Sequence, residues 1–362
     1  MSDLPVRPEL VGQVPYGAPQ LDVPYRLNVN ENPYPPSERV AAEIASAVAA
    51  AAKTMNRYPE RDAVELRADL AAYLGHGLVA DQVWAANGSN EVMLHVLMAF
   101  GGPGRRALSF APTYSMYPEY ARDTHTGWTT FPRRDDFTID PVAAVRTIRD
   151  QRPDVILIAS PNNPTGTAIS LDTLRAIADA ATGVVIIDEA YFEFARAGTP
   201  SALELLADCP RLAVTRTMSK AFAFAGGRLG YLAASREFVD ALRVVRLPYH
   251  LSAVTQAVAR VALANAGELL ARVDELRANR DDLAAWLAGQ GLRVADSDAN
   301  VVLFGRFADR QAVWQALLDR GVLIRVVGPE GWLRVSAGTE EEMAAFKAAL
   351  GVVLGSEKGR LW

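Results

Sequence analysis

The middle of the chain alternates short apolar runs with helical patterns. Apolar, mostly branched residues fill positions 155–158, 184–187 and 212–214, and a helical period covers 171–181. Runs that are apolar on both faces are typical of strands buried in a parallel sheet. The pattern therefore predicts an α/β fold with a large doubly wound, mixed and mostly parallel sheet. Ligands of such sheets bind beyond the carboxyl ends of the strands.

Two helical patterns precede this region. Apolar residues recur at helical spacing over 40–51 and again over 66–74. Asp62 and Glu65 have the spacing of a capping box, so we expect Asp62 to cap the second helix.

The remainder of the chain suggests three units. The first 37 residues are rich in proline and show no long helical period, which predicts an arm over 1–37. The large sheet domain is expected over 38–250. A helical pattern over 251–289, weakened at 265–267, is followed by short strands and further helical stretches. It predicts a smaller α+β domain over 251–362 that begins with a long connecting helix.

Composition excludes several classes of function. The formal net charge is −5, so no basic field is expected to attract nucleic acid or an acidic membrane. No apolar stretch is long enough to span a bilayer, and the first thirty residues lack the apolar core of a secretory signal. Cys209 is the single cysteine and the four histidines are scattered, which predicts neither a disulfide nor a metal site. We expect a cytoplasmic protein.

Each predicted strand runs into a different polar motif. Residues 160–166 read Ser-Pro-Asn-Asn-Pro-Thr-Gly, residues 188–191 read Asp-Glu-Ala-Tyr, and residues 215–220 read Thr-Arg-Thr-Met-Ser-Lys. Because the carboxyl ends of parallel strands meet at one edge of the sheet, we expect these groups to surround a common ligand.

The polar groups match the needs of pyridoxal phosphate. The cofactor requires a lysine for its Schiff base and a carboxylate that keeps its pyridine nitrogen protonated, and Lys220 and Asp188 supply them. Tyr191 and Asn163 are able to hydrogen-bond the ring oxygen and stabilise its anion. Isolated lysines and aspartates near strand ends are usually solvated or serve as caps, so the prediction depends on the combination.

The cofactor phosphate also needs donors. Ser219 and Thr217 offer hydroxyl groups and Arg228 offers a guanidinium. The turn Gly88-Ser89-Asn90 opens a predicted helix whose free N–H groups suit an anion, although such a turn alone is equally a simple helix cap. Tyr114 is placed to stack on the ring.

The three strand-end motifs, together with Ala-Gly-Gly-Arg at 225–228, resemble the signature of fold-type I aminotransferases of the class II subfamily. The resemblance extends from about residue 7 to residue 349. Four further segments resemble the histidinol-phosphate aminotransferases more narrowly: Asn28 to Pro33, Arg57-Tyr58-Pro59, Asn87 to Glu91 and Leu333-Arg334-Val335-Ser336.

The resemblance implies a function in histidine biosynthesis. The expected reaction converts L-histidinol phosphate and 2-oxoglutarate to 3-(imidazol-4-yl)-2-oxopropyl phosphate and L-glutamate in a ping-pong cycle through pyridoxamine phosphate. It also implies a homodimer in which Tyr58 of one subunit reaches the cofactor phosphate of the other. Tyr16, Asn30, Arg325 and Arg334 are expected to bind the substrate.

Alternatives remain at the level of the sequence. An aromatic amino-acid aminotransferase of the same fold and a decarboxylase of phosphorylated amino acids would use the same cofactor. A cofactor-binding sensor domain would need a DNA-binding module, for which residues 1–37 show neither two helices nor a basic face. Arg325 could instead close a surface salt bridge, and Tyr25 could take the place of Tyr16.

Overall fold

The structure is a computed structural model that describes residues 4–356, 359 and 361. The strands of the described residues are, in chain order, β1 (Tyr25–Arg26), β2 (Val83–Ala86), β3 (Arg106–Ala111), β4 (Gly127–Pro132), β5 (Val155–Ala159), β6 (Val184–Asp188), β7 (Leu212–Thr217), β8 (Gly230–Ala233), β9 (Arg293–Val294), β10 (Val301–Gly305), β11 (Val322–Leu323) and β12 (Leu333–Ser336). The helices are α1 (Glu38–Ala52), α2 (Val64–Leu74), α3 (Ser89–Phe100), α4 (Tyr117–Asp123), α5 (Pro141–Gln151), α6 (Leu171–Ala180), α7 (Arg236–Val245), α8 (Ala253–Ala264), α9 (Ala266–Leu269), α10 (Val273–Gly289), α11 (Arg310–Leu318) and α12 (Glu340–Leu354).

The central sheet has seven strands in the order β2-β8-β7-β6-β5-β3-β4. Strand β8 runs antiparallel to both of its neighbours, and the remaining pairs are parallel. This confirms the mixed, mostly parallel sheet, and the three apolar runs of the sequence form β5, β6 and β7.

Each of these three strands is buried along its whole length. In β5, Ile156 and Ile158 belong to a core shared with α2 and α6, whereas Val155 and Leu157 belong to a core shared with α3 and α7. Successive side chains of a strand point to opposite faces, so helices cover both faces of the sheet. The doubly wound fold is therefore confirmed.

Helix α2 does not begin as the sequence predicts. Asp62 lies outside the helix, and its carboxylate pairs with Arg246 at 2.7 Å instead of capping. The N–H of Val64 donates to the carboxylate of Glu60 at 2.8 Å, so a different acid satisfies the first turn. The predicted capping box is wrong because Arg246 and Arg243, the latter at 3.4 Å, both attract the carboxylate of Asp62. They hold it away from the N-terminus of α2.

The helical stretch over 251–289 is divided into α8, α9 and α10 rather than forming one long helix. The division lies at the predicted weak point, where the side-chain amide of Asn265 donates to the carbonyl of Val261 at 3.0 Å and to Glu43 at 2.7 Å. Such competition by a polar side chain with the backbone ends helices. Helix α8 packs against α1 and α2. The domain boundary at residue 250 stays a prediction.

The N-terminal arm joins the C-terminal strands. Strand β1 pairs in parallel with β11, and β9, β10 and β12 form an antiparallel sheet. Leu27 follows β1, donates its N–H to Leu323 at 2.8 Å and accepts from the N–H of Ser336 at 2.9 Å. The arm is thus held between β11 and β12, which fixes residues 28–30 beside them.

Within the described ranges, no helix is long and apolar enough to cross a membrane. The same residues contain no group of three or more histidine, cysteine, aspartate or glutamate side chains that could hold a metal ion.

Candidate active site

A cavity of about 960 Å³ lies beyond the carboxyl ends of β5, β6 and β7, whose last residues Ala159, Asp188 and Thr217 line it. This is the edge of the sheet at which the sequence predicts a ligand. Most of the predicted site residues line the cavity: Tyr16, Asn30, Ser89, Asn90, Tyr114, Asn163, Asp188, Tyr191, Thr217, Ser219, Lys220, Arg228, Arg325 and Arg334.

Lys220 follows β7 by three residues and reaches into this cavity. Its Nζ donates a hydrogen bond to the carbonyl oxygen of Val29 at 3.0 Å. Burial, assisted by the charge of Arg334, lowers the pKa of Lys220 to about 8. An amine with this pKa has a substantial neutral fraction near physiological pH, which a nucleophile or a proton carrier requires.

Asp188 ends β6 and is almost completely buried. It accepts hydrogen bonds from the hydroxyl groups of Tyr117 at 2.9 Å and Thr215 at 3.2 Å, and from the N–H of Ala190 at 3.2 Å. Burial raises the pKa of Asp188, although these hydrogen bonds oppose the shift. All three partners are neutral donors, so a buried cation beside this carboxylate would be strongly stabilised.

The hydroxyl group of Tyr191 lies between two side-chain amides. Asn30 donates to it at 2.8 Å and Asn163 at 3.4 Å. Asn30 has a φ of 59°, a conformation that asparagine tolerates, and Ser336 hydrogen-bonds it at 3.0 and 3.1 Å. Since the two amides donate to the phenol oxygen, the hydroxyl proton of Tyr191 remains available for a ligand.

Arg334 lies on β12 and is the most buried cation of the cavity. Its Nη1 donates to Asn163 Oδ1 at 2.6 Å, and its Nη2 donates to the carbonyl oxygen of Asn28 at 2.8 Å. Its Nε is buried without a hydrogen-bond partner among the described residues. Burial lowers the pKa of Arg334 to about 10, with a further contribution from Arg325. We call Asn28, Asn163, Arg325 and Arg334 the anion end of the cavity.

A second group of donors lies at the N-terminus of α3. Gly88 precedes this helix with a φ of +85°, and Arg228 extends so close to it that a Cβ on Gly88 would stand 2.6 Å from Nη2. Arg228 Nη1 also donates to Ser219 Oγ at 3.3 Å. A Cβ on Gly230 would stand 2.0 Å from the backbone nitrogen of Ser89, so β8 packs directly against the turn. We call Gly88, Ser89, Ser219 and Arg228 the phosphate cradle.

Three other predicted cofactor contacts have hydrogen-bond partners within the protein. The hydroxyl group of Thr217 donates to the carbonyl of Leu229 at 3.2 Å. Asn90 Oδ1 accepts from Tyr120 at 2.8 Å and from Tyr114 at 3.4 Å. Their side chains are therefore fixed before a ligand arrives, and their contribution to ligand binding stays a prediction.

Tyr16 and Arg325 both reach the mouth of the cavity. The hydroxyl group of Tyr16 hydrogen-bonds Ser115 at 2.8 Å, and Arg325 Nη2 donates to the carbonyl of Gly17 at 3.3 Å. Among the described residues Arg325 forms no ion pair, so the surface salt bridge considered from the sequence is absent there. Tyr25 packs against the core around β10 and β12, which leaves Tyr16 as the tyrosine of the arm that faces the cavity.

Tyr58 is not among the residues that line the cavity of its own chain. It is 79% exposed, and its ring stacks on that of Tyr249 with centroids 4.4 Å apart. A pair of exposed stacked tyrosines is unusual for a surface in contact with water alone.

Contacts of the site that were missed from the sequence include Asn28, Val29, Ser115, Tyr117 and Thr215. Thr215 could have been found, because it lies two residues before Thr217. Its side chain therefore points to the same face of β7 as that predicted site residue. Asn28 belongs to the unusual polar tract over residues 28–32, but its main-chain carbonyl oxygen, and not its side chain, contacts Arg334. Nothing in the local sequence of Tyr117 indicates its contact with Asp188.

The donor set fits pyridoxal phosphate. Asp188 has no cationic partner among the described residues, and Lys220 has a lowered pKa. The phosphate cradle combines a guanidinium, a hydroxyl group and a helix N-terminus. The glycine at position 88 keeps the space beside Arg228 clear of a side chain.

Comparisons with known proteins agree with this picture. A family model described as aminotransferase class I and II matches residues 24–350. The chain is 61% identical over 350 residues to the histidinol-phosphate aminotransferase of Thermobifida fusca, covering 97% of this chain and 95% of that protein. It is 60% identical over 354 residues to histidinol-phosphate aminotransferase 3 of Burkholderia lata, covering 97% and 96%.

Solved structures show the same fold. The histidinol-phosphate aminotransferase from Sinorhizobium meliloti in complex with pyridoxal 5'-phosphate is similar with a TM-score of 0.85, over 98% of this chain and 99% of that chain, at 23% identity. A putative aminotransferase from Burkholderia pseudomallei is similar with a TM-score of 0.78, over 92% and 99%, at 27% identity.

Proposed function

Because the chain belongs to the aminotransferase class I and II family, we propose that it transfers the amino group of L-histidinol phosphate to 2-oxoglutarate. The products are 3-(imidazol-4-yl)-2-oxopropyl phosphate and L-glutamate, and the reaction is a step of histidine biosynthesis. The observation that carries the proposal is a single cavity that joins Lys220, Asp188 and Arg334 in a chain whose close relatives have this activity.

The cofactor is pyridoxal 5'-phosphate. When bound, it withdraws electrons from the alpha carbon of the substrate and so stabilises the negative charge that develops there. Lys220 would bind it covalently, Asp188 would face its ring nitrogen, and Tyr191 and Asn163 would bind its ring oxygen. Its phosphate would occupy the phosphate cradle, with Thr217, Asn90 and Tyr114 lining the same space.

Lys220 serves as the proton carrier of the reaction. The lowered pKa of about 8 allows its amine to accept a proton from one carbon and donate it to another near neutral pH. The hydrogen bond to Val29 restrains the amine against the arm when it is not otherwise engaged.

The anion end binds the charged group of either substrate. A guanidinium matches both carboxylate and phosphate in a forked geometry, and Arg334 and Arg325 lie together because their backbones form an antiparallel bridge. Asn163 and Asn28 fix the plane of the Arg334 guanidinium. Tyr16 and Asn30 complete the substrate pocket from the arm.

The half-reaction tests this function. The holoenzyme is mixed with L-histidinol phosphate, and separately with L-phenylalanine, while the visible absorbance of the cofactor is followed. Histidinol phosphate should bleach the absorbance far more efficiently, and 2-oxoglutarate should restore it. Faster bleaching by phenylalanine would show that the enzyme acts on aromatic amino acids. The absence of a bound chromophore would show that Lys220 does not bind the cofactor.

A homodimer with Tyr58 acting across the interface is part of the proposal. Tyr58 is exposed, stacked on Tyr249 and outside its own cavity, which suits a side chain that enters the site of a partner subunit. Complementation provides the test: Lys220→Ala and Tyr58→Ala subunits are inactive or impaired alone, but their mixed dimer regains one intact site. If Tyr58 acted on its own subunit, mixing would restore nothing.

We propose that the enzyme acts in the cytoplasm. Cys209 is a buried free thiol, and a reducing compartment suits a chain with a single cysteine. Fractionation of cells that produce the native chain should recover it with cytoplasmic markers.

A further inference from the structure

Arg310 lines the same cavity and has no assigned function. It is the first residue of α11, and its Nη1 donates to the carbonyl oxygens of Pro329 at 2.8 Å, Gly328 at 3.2 Å and Trp332 at 3.5 Å. Its other two nitrogens, Nε and Nη2, have no hydrogen-bond partner among the described residues. Arg310 also forms no ion pair with any of them. One nitrogen therefore fixes the guanidinium while the rest of the group stays available.

The wall of the cavity carries a strong excess of positive charge. Asp188 is the single carboxylate among its described lining residues. The cations of the lining are Lys220, Arg228, Arg310, Arg325 and Arg334. Guanidinium groups without carboxylate partners in a confined space attract anionic ligands, because the low dielectric of the wall strengthens each interaction.

Lys220 binds the cofactor covalently, and the anions of the proposed reaction account for all of the four arginines but one. The cofactor phosphate takes Arg228, and the phosphate or carboxylate at the reacting end of each substrate takes Arg334 and Arg325. The remainder of the phosphorylated amino donor is an imidazole with no negative charge. The amino acceptor is different, because a dicarboxylate brings a second anionic group that also needs a partner.

We propose that Arg310 is a specificity-determining residue that binds the distal carboxylate of the dicarboxylate amino acceptor. The inference rests on the proposed function and names a residue that acts in one half of the cycle only. The contacts to Pro329 and Gly328 hold the guanidinium in place before the ligand arrives, so little side-chain entropy is lost on binding. Arg310 thereby contributes to binding of the dicarboxylate and not to binding of histidinol phosphate, although both substrates use the anion end.

Two unreactive ligands of equal length test the proposal by direct binding. Glutarate carries both carboxylates, whereas pentanoate carries one, and their dissociation constants are measured calorimetrically on the holoenzyme. Arg310→Gln keeps an N–H donor for these carbonyl oxygens but removes the charge. It should weaken glutarate about tenfold, as expected for loss of one charge-assisted hydrogen bond, and leave pentanoate unchanged. Arg310→Lys should recover part of the loss.

Steady-state kinetics give the matching expectation. Arg310→Gln should raise the KM for 2-oxoglutarate about tenfold while kcat/KM for histidinol phosphate stays within about twofold. Arg320→Gln is the matched control, because Arg320 lies just beyond the other end of α11 and also donates to a backbone carbonyl, that of Ala316. This control should behave as the parent enzyme in every assay.

Other outcomes overturn the proposal. An equal loss for glutarate, pentanoate and histidinol phosphate would show that Arg310 only fixes the loop over 326–331. Unchanged glutarate binding would show that another group takes the distal carboxylate. Failure of the proposed function is distinguishable from failure of this inference. If the proposed function were wrong, the parent enzyme and the Arg310 variants would all fail to react with histidinol phosphate.

Discussion

The cofactor end and the anion end of the cavity are built in different ways. At the cofactor end, Asp188 and Lys220 follow adjacent parallel strands, and their positions come from the local path of the chain. At the anion end, Arg334 is joined to Asn163 and Asn28, which lie 171 and 306 residues away in sequence. The sheet positions the reactive residues of the first end, whereas the second end requires the arm, the sheet and the C-terminal strands to meet.

The largest effect is expected at the cofactor end. Lys220→Met removes the covalent link and the proton carrier together, so kcat should fall by at least about 10⁴-fold. The measurement is a single turnover with histidinol phosphate. Ethylamine added to Lys220→Ala, which leaves space for it, should restore a small part of the rate. Substantial turnover by Lys220→Met would mean that another base moves the proton.

The second largest effect is expected at the anion end, where a substitution should alter substrate binding but not cofactor binding. Arg334→Gln removes the central charge of the anion end and should lower kcat/KM about a hundredfold for both substrates, because a buried charge pair with the ligand is lost. Binding of the cofactor should hardly change. Arg67→Gln is the control, since Arg67 is equally buried but donates to the carbonyl of Val83 outside the cavity. It should lower stability without this kinetic signature, and ordinary efficiency in Arg334→Gln would remove Arg334 from the substrate site.

Gly88→Ala tests the phosphate cradle. The added Cβ would meet the guanidinium of Arg228, so the affinity for the cofactor should fall about tenfold, whereas the KM for histidinol phosphate should change little. Gly104→Ala is the matched control, because Gly104 has a similar φ of +80° and open space around the Cβ position. Both variants share the backbone strain, and equal cofactor affinities would show that the close approach to Arg228 is unimportant.

Tyr117→Phe should have a smaller effect. It removes one hydrogen bond from the carboxylate of Asp188, so the pKa of Asp188 should rise further and kcat should fall about fivefold. The decrease should be steepest at low pH, where the carboxylate begins to take up a proton. Tyr73→Phe is the control, since the Tyr73 hydroxyl faces Glu193 outside the active-site cavity. Matching pH profiles for the two variants would contradict this function of Tyr117.

The last effect concerns the stability of the enzyme without cofactor and leaves its kinetics aside. The pKa of Lys220 is lowered from 10.5 to about 8 by folding, so the unfolded chain binds more protons between these values. The lysine therefore destabilises the fold below pH 8, and this penalty disappears as the pH rises to 10.5. Lys220→Met should be more stable at pH 7 by up to about 3 kcal/mol, with the difference vanishing in alkali. A constant difference in thermal unfolding across this range would argue against burial of a charged amine.

The contrast between the ends also explains what the sequence could predict. Lys220, Asp188, Asn163 and Arg228 occur in short motifs that follow recognisable strands, so local pattern was sufficient to place them near one another. Arg325 and Arg334 of the anion end came only from resemblance, and Asn28 was missed, because no local rule brings it to Arg334. Tyr117 was missed for the same reason, since its contact with Asp188 spans 71 residues.

Errors in the secondary structure have a related origin. The expected capping box at Asp62 failed because Arg246, far along the chain, takes the carboxylate. The expected long helix over 251–289 is interrupted at Asn265, whose side chain contacts Glu43 of α1 as well as its own helix. In both places a polar side chain had two possible partners, and the distant one could not be seen from the sequence.

The arm serves Lys220 and Arg334 through the main-chain oxygens of Val29 and Asn28. Replacement of either side chain leaves these oxygens in place, so a mutational scan of the arm would underestimate its importance. Backbone ester substitution at these two positions would weaken the acceptors directly. At these two positions the path of the backbone therefore matters more than the identity of the side chain.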